Sequence, residues 1–259
     1  MSRRGSSKLT RRSFVKLLAF AASSLTLSAT GASYALGAIP RSLRPAPTKE
    51  PGKYVAVVDL SKCNGCGKCT EGCIAYHDLP IGMEWIKIFK IKDAAGEYPL
   101  PRLCMQCQGN TPCVNVCPVG AAFMREDGVV LIDSQRCIGC RFCMAACPYS
   151  ARFFNWQEPD QSPITFQHEY SPEEPWPQSR GTTAKCDFCT EKLIVGQLPA
   201  CASSCPTGAL YFGDQYEDTV TNGRETVSFK SLIKQKGGYR ILEELGTEPN
   251  VWYLPPRRE

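Results

Sequence analysis

A chain of 259 residues with 43% hydrophobic side chains holds enough apolar mass for one large domain or two small ones. Charged residues at 21% and an isoelectric point near 8.4 exclude an acidic disordered tail and a histone-like basic binder. Sixteen cysteines against two histidines, His77 and His168, are too many for packing alone, so the chemistry of the chain lies in them.

Two cofactor chemistries drop out at once. No cysteine is followed by the histidine that haem c attachment needs in C-x-x-C-H. No G-x-G-x-x-G follows a strand and no G-x-x-x-x-G-K-[ST] occurs, which leaves nucleotide chemistry without support.

Residues 1–38 carry Arg3, Arg4, Lys8, Arg11, Arg12 and Lys16 and no acid. A charge-free run from Leu17 to Ile39, rich in Ala, Ser, Leu and Thr with small residues around Ala35–Ala38, completes the pattern of an export signal. Thr10–Lys16, TRRSFVK, resembles the twin-arginine consensus of bacterial Tat signals. The competing reading is an uncleaved anchor, long enough to span a bilayer but weakened by its Ser, Thr and Gly content. Without those six cations the chain has one more acid than base, so its basicity belongs to the leader and implies no nucleic-acid partner. The Tat route carries proteins that have already folded. It therefore points to a cofactor acquired in the cytoplasm and to a periplasmic destination.

Residues 39–52 read as an extended linker, and Tyr54–Asp59 (YVAVVD) as a short strand. The first cysteine quartet follows: Cys63, Cys66, Cys69 and Cys73 in CNGCGKCTEGC. The second is Cys104, Cys107, Cys113 and Cys117, closed by the run Cys117–Ala121 (CPVGA). Gly128–Asp133 (GVVLID) repeats the strand, and Cys137, Cys140, Cys143 and Cys147 repeat the first quartet's spacing in CIGCRFCMAACP. Residues 156–183, rich in proline and acids, read as an inserted surface loop, a plain excursion or a partner-docking one. The fourth quartet is Cys186, Cys189, Cys201 and Cys205, closed by Cys205–Ala209 (CPTGA) in parallel with the second. Ser228–Lys236 and Tyr239–Leu245 predict two short helices, and Val251–Leu254 a closing strand.

C-x2-C-x2-C-x3-C, present twice, is the spacing of bacterial [4Fe–4S] ferredoxins. Two-residue gaps let a tight loop present three thiolates to three corners of a cubane. Gly65 and Gly139 sit in those turns, where a missing Cβ lets the backbone approach sulfide. Backbone N–H groups in such loops raise the reduction potential by donating to cluster sulfurs. The fourth cysteine begins to point along a helix, away from the first three, and in two-cluster ferredoxins it ligates the other cluster. Pro118, Pro148 and Pro206 turn the chain out of that helix in three quartets, whereas Ile74 lets it continue in the first.

A disulfide scaffold and a zinc site are the competing uses of these cysteines. Disulfide-rich domains are usually short, and zinc does not account for four ligands within eleven residues. His77 reads as a satisfied residue beside a cluster, and Trp85 and Trp156 as packing or interface residues. No nucleophile–base pair or substrate motif is visible, so no bond chemistry is expected of this chain. The fold expected is α+β: a duplicated, bacterial-ferredoxin-like polyferredoxin domain over residues 53–213, with residues 214–259 packing on it or on a partner.

Four quartets in this order, with CP endings and a Tat leader, resemble the four-cluster electron-transfer subunits of complex iron–sulfur molybdoenzymes. They look like the iron–sulfur subunits of dimethyl sulfoxide, thiosulfate and polysulfide reductases and of the formate-dependent nitrite reductase system. The resemblance covers about residues 53–213 and implies four [4Fe–4S] clusters. It implies that Cys63, Cys66 and Cys69 join Cys205, and that Cys73 joins Cys186, Cys189 and Cys201. It likewise implies that Cys104, Cys107 and Cys113 join Cys147, and that Cys117 joins Cys137, Cys140 and Cys143. The partners implied are an integral-membrane quinone-interacting subunit, a catalytic or multihaem redox subunit, and the Tat export machinery. A free periplasmic polyferredoxin is the alternative within redox chemistry, and an exported zinc- or disulfide-stabilised binding module the alternative outside it.

Overall fold

The computed structural model describes residues 53–80, 82–93, 96–157, 170–172 and 178–257. The chain divides into two units, Met1–Ala46 and Pro47–Glu259, and every described residue belongs to the second. The leader, the linker and the middle of the loop over 156–183 lie outside the described residues.

Strand β1 (Tyr54–Asp59) is almost continuously apolar because both of its faces are covered. It pairs antiparallel with β8 (Leu210–Asp214) and parallel with β11 (Val251–Leu254). The five-stranded sheet runs β10-β9-β8-β1-β11, with β9 at Thr219–Thr221 and β10 at Thr226–Ser228. Alternation along the strands sorts the side chains by face. Ala56, Val58, Leu210, Phe212, Val251 and Tyr253 join the main core, where Cys69, Cys73, Cys107, Cys186 and Cys201 are also buried. Val55, Val57, Tyr211 and Leu254 face the opposite side and pack with Phe229, the first residue of helix α6 (Phe229–Lys236). One face of the sheet thus supports the cysteines and the other is closed by a helix.

The expected strand at 54–59 and closing strand at 251–254 are both present. The helix expected from Ser228 begins at Phe229, with the Ser228 hydroxyl capping it by accepting from the Ser231 N–H at 3.2 Å. The helix expected over Tyr239–Leu245 is not formed, and only a single 3-10 turn, Glu243–Leu245, remains. Tyr239 instead exchanges two backbone hydrogen bonds with Tyr253, at 2.9 and 2.8 Å, which commits its N–H to the sheet. The boundary expected after residue 213 falls inside β8. The residues beyond it supply β9, β10 and β11, so they belong to the same sheet.

Three two-stranded ladders complete the β-structure of the described residues. β2 (Lys87–Asp93) and β3 (Gly96–Arg102) form an antiparallel hairpin, and β2 carries Ile88, Phe89 and Ile91 among lysines without a strict alternation that would mark a strand in the sequence. β4 (Ala122–Met124) pairs with β5 (Val130–Ile132), the latter inside the expected strand at 128–133. β6 (Phe153–Phe154) pairs with β7 (Thr183–Ala184) and pins together the two ends of the inserted loop.

Four of the helices are short: α2 (Pro112–Asn115), α3 (Phe142–Ala146), α4 (Thr190–Ile194) and α5 (Ala200–Ser203). α1 (Lys68–His77) is longer, running on past Cys73 as the absence of a proline there suggests, and it packs on α5. Gly72 permits that packing. A Cβ there would overlap the Ser204 side chain, 2.6 Å from its Cβ, and lie 3.2 Å from the Ala200 carbonyl oxygen. Helix propensity favours alanine by about 1 kcal/mol, but overpacking against a fixed backbone costs about 1–3 kcal/mol. Gly72→Ala should therefore lower the thermal unfolding midpoint, and adding Ser204→Gly should restore most of the loss. A midpoint raised by Gly72→Ala alone would show that α1 and α5 do not touch at this level.

Candidate metal centres

The strand pairing brings distant cysteines together. Cys205 lies five residues before Leu210, which pairs with Val58, itself five residues before Cys63. The same count recurs elsewhere: Cys117 lies five residues before Ala122, which pairs with Ile132, five residues before Cys137. Local hydrogen bonds repeat as well. The N–H of Asp59 donates to the Ala209 carbonyl and that of Asp133 to the Ala121 carbonyl, both at 2.8 Å. The carbonyls of Asp59 and Asp133 then accept from Cys63 and Cys137, at 3.2 and 3.1 Å. Their carboxylates accept from the N–H groups of Ser61 and Gln135, each at 3.0 Å. Each strand thus ends in the same aspartate turn, and each turn leads into a three-cysteine loop.

Four groups of thiols result. Cys63 and Cys69 neighbour Cys205, and Cys66 neighbours Cys63. Cys73 faces Cys186 and Cys201, and Cys189 faces the same two. Cys104, Cys107, Cys113 and Cys147 line one cavity, and Cys117, Cys137, Cys140 and Cys143 line another. The sixteen cysteines are all free, with only Cys66 and Cys140 exposed. The groups also adjoin one another: Cys69 neighbours Cys201, and Cys186 neighbours Cys104.

The donor set is that of a soft-metal site, with thiols from two segments in each group. In both cavities the thiols ring an interior. A single tetrahedral zinc ion, with bonds of about 2.3 Å, would draw them onto one point. This arrangement fits a cubane held at four corners.

Burial acts strongly on these groups. It pushes the Cys69 thiol up to about 11 and those of Cys107 and Cys186 up to about 12, with neighbouring thiolates and Asp187 adding to it. Cys73, Cys189 and Cys201 lie well above the ordinary thiol value for the same reasons. Cys117 and Cys205 go the other way. Burial alone would raise them, but backbone N–H groups at the two CPxGA turns outweigh it, helped at Cys205 by the Thr207 hydroxyl. The Ala121 and Ala209 amides donate to these sulfurs at 3.2 and 3.3 Å, with Gly120 and Gly208 supplying the positive φ of +62° and +64° that aims them.

His77 is 3% exposed, and its Nε2 lies 3.3 Å from Cys189 Sγ and 3.8 Å from the Asp187 carboxylate. Burial lowers its pKa to about 4, so the ring is neutral at physiological pH, a satisfied neighbour of the fourth quartet. Trp85 is in the core, 4.7 Å from the His77 ring. Trp156 is on the surface, edge-on to Phe154, and the Arg141 guanidinium lies over both rings.

Two surroundings were not legible in the sequence. The Thr183 hydroxyl contacts the sulfurs of Cys137 and Cys143 at 3.6 and 3.5 Å, so the end of the inserted loop lies against the third quartet. The buried Arg152 lines the second quartet's cavity. The glycines of the loops also have protein neighbours that the sequence did not show. The space a Cβ would need at Gly65 is taken by Pro99, and at Gly139 by the Gly181 carbonyl. Close approach of neighbouring protein, together with φ of +73° and +69°, therefore accounts for both.

The chain matches the family model described as a 4Fe–4S dicluster domain over residues 97–166 and 173–215. It is 39% identical over 219 residues to a selenate reductase subunit of Mesobacillus selenatarsenatis, spanning 78% of this chain and 72% of that protein. Identity to the menaquinone reductase iron–sulfur cluster-binding subunit of Nitratidesulfovibrio vulgaris is 35% over 79% of this chain and 89% of the relative. A polysulfide reductase chain of Wolinella succinogenes is 32% identical over 80% of this chain and 96% of its own length.

Gly139→Ala should combine backbone strain with a collision against the Gly181 carbonyl. The third loop would have to move from its place, so this variant should lose about one cluster's worth of iron, about four atoms. Iron and acid-labile sulfide per chain measure it. An unchanged content would show that the loop yields without cost.

Proposed function

Because the chain belongs to the family of iron–sulfur electron-transfer subunits of oxidoreductase complexes, we propose that it relays electrons through four [4Fe–4S] clusters between two partner subunits. The first site is held by Cys63, Cys66, Cys69 and Cys205, and the second by Cys104, Cys107, Cys113 and Cys147. The third is held by Cys117, Cys137, Cys140 and Cys143, and the fourth by Cys186, Cys189, Cys201 and Cys73. The observation that carries this reading is the crossing of Cys205 and Cys117 to the loops opposite, at the same offset in both strand pairs.

When bound, each cluster takes up and releases one electron. The chain's own residues do the rest. The cysteines must give up their protons to ligate, so cluster insertion is coupled to proton release and to folding. Backbone amides at the CPxGA turns donate to Cys117 and Cys205, which favours the more negative state of the sites they serve. Neighbouring thiols order the sites along one line: first, fourth through Cys69 and Cys201, second through Cys186 and Cys104, then third. The repeated aspartate turn and CPxGA turn support a duplicated, ferredoxin-like origin, with β1 and β8 in one half and β5 and β4 in the other.

A line of centres has two ends. We assign one to a membrane-embedded quinone-reactive subunit and the other to a catalytic or multihaem subunit. This pairing is supported by relatives whose names include menaquinone reductase, selenate reductase and polysulfide reductase. None of the helices among the described residues is long and apolar enough to cross a membrane. The periplasmic location and export by the Tat machinery rest on the leader sequence around Arg11 and Arg12.

Anaerobically prepared protein should contain about four irons per site, whereas stoichiometric zinc with little sulfide would replace this reading with a zinc module. Cys205→Ser and Cys73→Ser should alter different clusters in redox-titrated EPR, because serine is a harder and poorer ligand for iron. If Cys205→Ser and Cys186→Ser abolish one and the same signal, each quartet closes on itself. Export is tested separately. Changing Arg11 and Arg12 together to Lys should hold folded, cluster-loaded protein in the cytoplasm, and undiminished periplasmic accumulation would remove the leader's role.

A further inference from the structure

Arg152 follows Cys147 by five residues, on the stretch that leads into β6. It is 4% exposed, and its two terminal amines meet no oxygen acceptor among the described residues, the hydrogen-bonding group beside the side chain being the Cys113 thiol. A guanidinium keeps its charge at any physiological pH, and burying it without a counter-charge is prohibitively costly. The groups in front of it are sulfurs: Cys113 and Cys104 of the second site and Cys143 of the third. The side chain forms part of the wall of the second cavity, and its other side backs an open groove of about 660 Å³ lined by Lys87, Arg102 and Phe153, with no acid among the lining residues. Among the described residues, the groups around it include no carboxylate. Lys185, also buried, differs in having an oxygen acceptor of its own, the Cys186 carbonyl at 2.7 Å.

We propose that Arg152 is the shared counter-charge of the second and third clusters and holds both of their reduction potentials up. The inference rests on the ligand sets proposed above. Four thiolates around a cubane leave a net negative charge, which grows when the site accepts one electron. A fixed cation between two such sites therefore favours the reduced form of each. The electron comes from the neighbouring centre in the chain, or from dithionite in a titration. No proton accompanies it at Arg152, because the guanidinium stays protonated throughout. Because both sites lie within reach of one charge they also lie near each other, so an electron on one repels an electron on the other and the pair should titrate as coupled centres.

The test uses the full chain loaded anaerobically, with iron and sulfide of the unaltered protein checking the cluster assignment first and separately. Redox-titrated EPR with dithionite then compares Arg152→Gln and Arg152→Lys with the wild type, the signals being assigned through the cysteine variants. Arg152→Gln should shift the reduction equilibria of the second and third clusters at least about tenfold toward the oxidised form, about 59 mV for one electron. The first and fourth should hardly move, and Arg152→Lys should recover most of the difference. Four loaded clusters with unchanged potentials in Arg152→Gln would overturn the proposal. If Arg152→Gln fails to load the second and third sites, restoration of both by Arg152→Lys supports a counter-charge. Failure of Arg152→Lys to restore them would overturn it, because the guanidinium's shape rather than its charge would then be what the sites require.

Discussion

Four thiolates cannot be buried side by side unless a cationic core sits among them, and this repulsion governs the rest of the molecule. Burial and mutual proximity push Cys69, Cys73, Cys107, Cys186, Cys189 and Cys201 far above the ordinary thiol value. Left alone they would stay protonated, and the loops that carry them would have little reason to converge. A cubane of iron and sulfide supplies the missing positive charge and four bonds at once. The binding energy of the clusters is thereby also folding energy, spread over four places in one chain.

Convergence itself is the work of the backbone. β1 and β8 form one antiparallel pair, β4 and β5 another, and each places a CPxGA turn beside the mouth of a three-cysteine loop. The same aspartate turn ends both β1 and β5, so the two loops start from equivalent positions. Because the fourth cysteine of each quartet is delivered to a different loop, no site can form before two distant segments meet. The groups consequently adjoin one another, with Cys69 beside Cys201 and Cys186 beside Cys104.

Electrostatics then differentiates sites built from identical ligands. Backbone amides focus on Cys117 and Cys205, a neutral His77 lies beside Cys189, and a charged Arg152 faces both the second and third groups. Such surroundings set how readily each centre accepts an electron. The sheet's far face is closed by α6, with Lys236 paired to Asp59 at 2.7 Å.

Much of this was legible in the residues alone, because ligand spacing is local. C-x2-C-x2-C-x3-C names its cofactor within eleven residues, and an apolar run such as Tyr54–Asp59 names a buried strand. The CPVGA and CPTGA repeats announced two equivalent turns, and the structure realises both with the same amide-to-sulfur bonds. What spacing could not reveal is anything that depends on partners distant in the chain. Tyr239 lies in a helical pattern, yet the sheet claims its N–H through Tyr253, 14 residues on. Gly139 is small because of a carbonyl at Gly181, and the segment beyond residue 213 joins the central sheet because β1 needs a second neighbour. Arg152 looks like any arginine in the sequence. Only the folded chain buries it between two sets of sulfurs, with no carboxylate beside it among the described residues, since burial and field are properties of the packed whole.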